Sequence, residues 1–175
     1  MQRTELEHLI RAASAITNQY EIMVVGSQSI LGAVPNPPAA LTVSMEADVY
    51  PLNQPELADL IDGAIGEGSP FHDRFGYYAQ GVGPETAILP SGWQTRLVRI
   101  QNPNTDLKVG LCLEPHDLAA SKLAAGREKD WPFVAEMIRA GIVGVSELQR
   151  RVDGLPALNV DQIRAWLAAR QAEAR

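Results

Sequence analysis

A chain of 175 residues, 46% of them hydrophobic, is long enough for one domain with a sizeable core, and no apolar run approaches the roughly 18–20 residues that span a bilayer. The net charge of −6 argues against extensive wrapping of nucleic acid, whose phosphates bind clustered Lys and Arg, although a local basic patch can still serve an RNA substrate. Cys112 is the only cysteine, which excludes an intrachain disulfide or a cysteine-based zinc cluster and, with a polar start in place of a signal segment, points to the cytoplasm.

Residues 4–18 place Leu6, Leu9, Ile10, Ala13 and Ile16 at helical spacing, with Asn18 as a stop. The apolar run from residue 21 to residue 25 ends in Gly26-Ser27 and reads as a buried strand closed by a tight turn. Glycine removes the steric bar to close approach, so backbone N–H groups and the Ser27 hydroxyl can reach phosphates there. Residues 28–31 open a short helix whose N-terminus adds partial positive charge at the same place. Pro35-Asn36-Pro37-Pro38 then makes a stiff loop.

Residues 41–50 alternate, which predicts a strand with Leu41, Val43, Met45, Ala47 and Val49 toward a core. Thr42, Ser44, Glu46, Asp48 and Tyr50 share the other face, with about 6.5–7 Å between the Cα atoms of the two acids. Carboxylates so placed repel unless a cation lies between them or solvent screens them. Magnesium is commonly held by one or two carboxylates plus substrate phosphates. An acid-x-acid strand or a Gly-Ser turn alone more often marks a solvated face or a plain turn. Paired on neighbouring strands, they compose a phosphate-and-metal site.

Residues 56–65 form an amphipathic helix with Leu57, Leu60, Ile61 and Ile65 on one face. After a Gly-rich break, residues 71–78 make an aromatic helix or turn that packs on the sheet edge. Residues 86–90, 95–100 and 107–113 are short strands, with Cys112 buried in the last as a small hydrophobe. From Pro115 onward the pattern is helical, over residues 116–125, 127–140, 145–152 and 160–175. The order implies an α+β fold: a mixed sheet with helices packed on one side and a C-terminal helical segment. Residues 1–142 form the core and residues 143–175 a helical extension packed on it, in one domain overall. His8, His72 and His116 lack metal-ligand spacing, and the Gly-x-Ser-x-Gly, Walker A and Rossmann patterns are missing.

Gly26-Ser27 followed by Glu46-Ala47-Asp48 resembles the signature of the DNA polymerase beta-like nucleotidyltransferase superfamily, with a longer spacer and Glu in place of the first Asp. Lys122-Leu123 and Arg127-Glu128-Lys129-Asp130 resemble the downstream element of abortive-infection-type nucleotidyltransferases, the toxins of bacterial toxin–antitoxin systems. The resemblance implies transfer of a nucleoside monophosphate from a nucleoside triphosphate to RNA (transfer RNA among the candidates) or to protein, with an antitoxin as partner and no role at a membrane. It implies Mg2+ or Mn2+ on Glu46 and Asp48, and nucleotide phosphates on Gly26, Ser27, Lys122, Arg127 and Lys129. Catalytic roles fall to Asp48, Lys122 and Asp130, although Asp130 could equally pair with Arg127 three residues away. Many members carry a third acid on a later strand as general base. None can be placed here: either Asp130 substitutes for it, or the chain is a degenerate nucleotide-binding or regulatory module.

Overall fold

The computed structural model describes residues 1–156 and 159–173. Five strands form one mixed sheet in the order β3-β2-β1-β5-β4. They are β1 (Glu21–Val25), β2 (Glu46–Pro51), β3 (Tyr78–Gly81), β4 (Val98–Ile100) and β5 (Val109–Cys112). β1 pairs antiparallel with β2 and parallel with β5, while β2 and β3 run parallel. The helices are α1 (Arg3–Thr17), α2 (Ala58–Ile65), α3 (Pro70–Phe75), α4 (Pro115–Ala125), α5 (Asp130–Arg139), α6 (Val145–Asp153) and α7 (Val160–Glu173). This is the expected α+β class with a mixed sheet and a C-terminal helical segment. No described helix is long and apolar enough to cross a membrane.

The central strand β1 is apolar because it is covered on both faces: Ile22, Met23, Val24 and Val25 are all buried. Leu6, Leu9, Ile10 and Ala13 of α1 pack into that core along the sheet. Gly110 of β5 lets the two approach, since a Cβ there would lie 2.4 Å from Ile10 Cδ1. Leu148 and Val152 of α6 and Ile163 and Leu167 of α7 join the same apolar cluster. The expected run of the last helix to residue 175 passes beyond the described residues at 173.

Several expectations are corrected. The acid-bearing strand starts at Glu46, not at Leu41; residues Ala39–Leu41 form a 3-10 turn. Val43 and Met45, expected in the core, are 79% and 54% exposed, and Tyr50, expected on the outer face, is buried. The prolines and the turn break the pleat before the alternation can be used. Leu60, placed on the buried face of its helix, is exposed. Residues 86–90 carry no strand; the strand that flanks β2 is Tyr78–Gly81, at the end of the segment read as an aromatic helix.

Candidate active site

The site is built from the C-terminal end of β1, the start of β2, and the α4–α5 corner. Gly26 follows β1 with φ +66°, and a Cβ on it would lie 2.0 Å from Asp48 Oδ2. Only glycine satisfies both demands: the positive-φ extended backbone, with ψ −167°, and the close approach of the acid. Beyond it, Ser27–Gly32 forms a 3-10 helix held to β5 by Ser29, whose hydroxyl accepts from the Leu113 amide at 2.7 Å. Gly26, Ser27, Glu46 and Asp48 therefore share one cleft, of about 690 Å³, which is within the ordinary range for small-ligand sites.

Asp48 is opposite Val25 on β1 and opposite Gln80 on β3. Burial and the charge of neighbouring Glu46 push its carboxyl up to about 7, while Lys122 and Arg127 pull the other way. Glu46 accepts a hydrogen bond from the Tyr78 hydroxyl across the strand pair at 2.9 Å. Burial and that carboxylate push the tyrosine up to about 12, so it remains a donor. The Tyr78 ring in turn packs on His72 with 4.6 Å between centroids.

The opposite wall comes from α4. Glu114 caps it by accepting from the amides of His116 and Asp117, and Pro115 occupies its first turn. The buried Asp117 carboxylate takes two hydrogen bonds from Arg96, fixing the helix on the preceding turn. Leu118, Ser121, Lys122 and Ala125 line the cleft, a stripe at helical spacing. Gly126, with φ +64°, ends the helix in the left-handed conformation and turns the chain so that Arg127 and Lys129 line the same cleft.

Lys122 is only 4% exposed. Its ammonium lies 3.2 Å from Asp130 Oδ1 and 4.5 Å from the centroid of the Phe133 ring. Burial lowers the lysine and outweighs the opposing pull of Asp130. Asp130 is fully buried and also accepts from Arg127 Nε at 2.8 Å. Its own burial would raise it, but hydrogen bonds from Arg127 and the charge of Lys122 hold it below the usual carboxylate range. The structure thus gathers Gly26, Ser27, Glu46, Asp48, Lys122, Arg127 and Lys129 around one cleft, with Asp130 behind the cationic wall rather than on its surface.

Three residues went unnoticed in the sequence. Gln80 and Phe133 line the cleft, and so does Gln28, 1% exposed, whose two side-chain amide atoms are sealed from water without a hydrogen-bond partner among the described residues. Gln28 directly follows the Gly-Ser turn, which was the one available signal. Gln80 carries no such signal, because its strand is only Tyr78–Gly81 and follows an aromatic, helix-like segment.

A divalent cation fits the acid pair on the evidence of its donors. Glu46 and Asp48 offer hard carboxylate oxygens at an open cleft. Among the described residues no group of three or more His, Cys, Asp or Glu forms a cage. The remaining oxygens must then come from phosphate and water, which is how magnesium is usually held.

A family model described as "Nucleotidyltransferase of unknown function (DUF6036)" matches residues 4–166. No curated protein and no solved structure matches the chain.

Proposed function

The chain belongs to that nucleotidyltransferase family, and from this premise we propose that it transfers a nucleoside monophosphate from a nucleoside triphosphate to an acceptor hydroxyl, with Mg2+ or Mn2+ on Glu46 and Asp48. The observation that carries the reading is the opposition of the two walls: paired carboxylates on β2 face Lys122, Arg127 and Lys129 across one cleft. A triphosphate between them meets cations along its tail. The Gly26–Ser27 turn, with no side chain at Gly26, admits the phosphates to the acids.

The acceptor oxygen forms a bond to the α-phosphorus as the bond from that phosphorus to the bridging oxygen breaks. Pyrophosphate leaves along Lys122, Arg127 and Lys129, and the hydroxyl proton passes to the Glu46–Asp48 pair. Because the cations stand in place before charge develops, they stabilise it without reorganising. The bound cation supplies further neutralisation of the phosphate oxygens. Asp130 acts as a positioning residue that holds Lys122 and Arg127 on the wall. The chain resembles abortive-infection toxins in the segments that build this wall, so the proposal extends to the toxin of a toxin–antitoxin pair, with the antitoxin as partner.

The test is transfer of label from α-labelled nucleoside triphosphates, with magnesium, to bacterial RNA or protein. Transfer lost in Asp48→Asn supports the reading; transfer equal in the two proteins sinks it. Growth arrest on induction, absent for Asp48→Asn, tests the toxin role. One observation favours a second reading, a binding or regulatory module: the residue beside Asp48 on β3 is the neutral Gln80, not a third acid. Magnesium-dependent triphosphate binding without pyrophosphate release under any acceptor would decide for it.

A further inference from the structure

The cleft is divided in a way that bears on the acceptor. In strand order, β3 lies outside β2, and β1 lies on β2's other side. Asp48 therefore has Gly26 to one side, where α4 packs on the turn that follows β1, and Gln80, its register partner, to the other. The cations that line the cleft, Lys122, Arg127 and Lys129, all come from the α4–α5 corner. The lining on the β3 side is Gln80, Val82, Thr86 and Ala87, which carries no charge.

We propose that the acceptor binds on this β3 side and presents its hydroxyl on an uncharged group, a protein side chain or a neutral sugar or alcohol, rather than on the end of a nucleic acid. The assignment rests on the transferase reading above. A triphosphate on the cationic wall leaves the β3 side for the second substrate. There the exposed Gln80 amide offers a donor and an acceptor side by side, and the Thr86 hydroxyl offers both as well, which suits a hydroxyl. A phosphodiester chain would instead bring negative charge beside Glu46 and Asp48, with no cation among the residues that line the cleft on this side.

Several arginines of the surface are already engaged. Arg96 is committed to Asp117, Arg139 to Glu136, and Arg164 to Asp153. Nucleic-acid affinity depends on Lys and Arg that replace the counterions of phosphates, and cations already paired to carboxylates serve poorly.

The experiment offers α-labelled nucleoside triphosphates and magnesium to the whole protein in three arms: nuclease-treated bacterial protein, protein-free total RNA, and a panel of neutral sugars and alcohols. Label in the protein or sugar arm, lost in Asp48→Asn, is expected, and the arm identifies the source of the hydroxyl. Label in the RNA arm that Asp48→Asn abolishes overturns the acceptor assignment and leaves the transferase reading standing. No label in any arm and no pyrophosphate release overturns both. With the acceptor from the labelled arm, Gln80→Leu is expected to raise the acceptor KM about tenfold, the loss of one hydrogen bond. Its Kd for a non-hydrolysable triphosphate should stay within about twofold of the parent. An unchanged acceptor KM overturns the placement on β3.

Discussion

Replacing Asp130 by Asn separates the buttress from a catalytic acid. Lys122 and Asp130 have side chains 5% and 0% exposed, so their attraction is little screened, and losing one partner leaves the other's charge buried. Such a loss typically costs about 3–5 kcal/mol. Arg127, with its side chain 57% exposed, adds little, since solvent can take over its charge. At about 2–4 °C per kcal/mol for a domain of this size, the melting midpoint should fall by roughly 6–20 °C. A second variant that also replaces Lys122 by Met removes the stranded charge and should recover part of the loss, giving a clear coupling energy in the double-mutant cycle. Thermal melts followed by circular dichroism give the stabilities, and calorimetric titration with a non-hydrolysable triphosphate should show weaker binding to Asp130→Asn. A midpoint within about 2 °C of the parent, unchanged binding and abolished turnover would refute the buttress and return Asp130 to the chemistry.

Other outcomes follow from the same cleft. Burial and the charge of Glu46 push Asp48 up to about 7 in the fold, against 3.8 for a free carboxyl. Its folded form thus holds a proton the unfolded chain gives up, and that contribution to stability is present below about pH 4 and lost as pH rises through about 7. Melting midpoints of metal-free protein should carry this falling component between those limits, and Asp48→Asn should lack it; identical slopes in the two proteins would contradict the assignment. Gly26→Ala should cost about 1–3 kcal/mol from its positive-φ backbone alone and displace the Asp48 carboxylate, which electron paramagnetic resonance would read as weaker Mn2+ binding. Gln28→Met removes a buried amide that lacks hydrogen-bond partners among the described residues, so the melting midpoint should hold or rise, and a fall would contradict an unsatisfied amide.

The sequence carried the make-up of the cleft better than the boundaries of the elements. That Gly26-Ser27 and Glu46-Ala47-Asp48 meet was readable from residue type, a missing Cβ after an apolar strand and two carboxylates on alternate strand positions. Strand β1 was readable because both of its faces are buried. The start of β2 was not, because the alternation of residues 41–45 continues into a segment whose Val43 and Met45 face solvent. Strand β3 was hidden because Tyr78–Gly81 is short and pairs only with a strand far earlier in the chain. Missing it also hid Gln80. The adjacency of Asp48 and Gln80 exists only once the two strands are aligned.

Lys122 shows a different limit. On helical spacing alone it is an ordinary surface lysine, and nothing local says that it is buried. Its burial depends on Gly126, which ends α4 and reverses the chain so that Asp130 arrives beneath the ammonium and Phe133 beside it. That arrangement also explains why the wall can hold its charge at all. A lysine desolvated without Asp130 would tend to give up its proton, and the cationic wall would fade where a triphosphate needs it. The acid that looks catalytic in the sequence is, on this reading, what keeps the lysine charged.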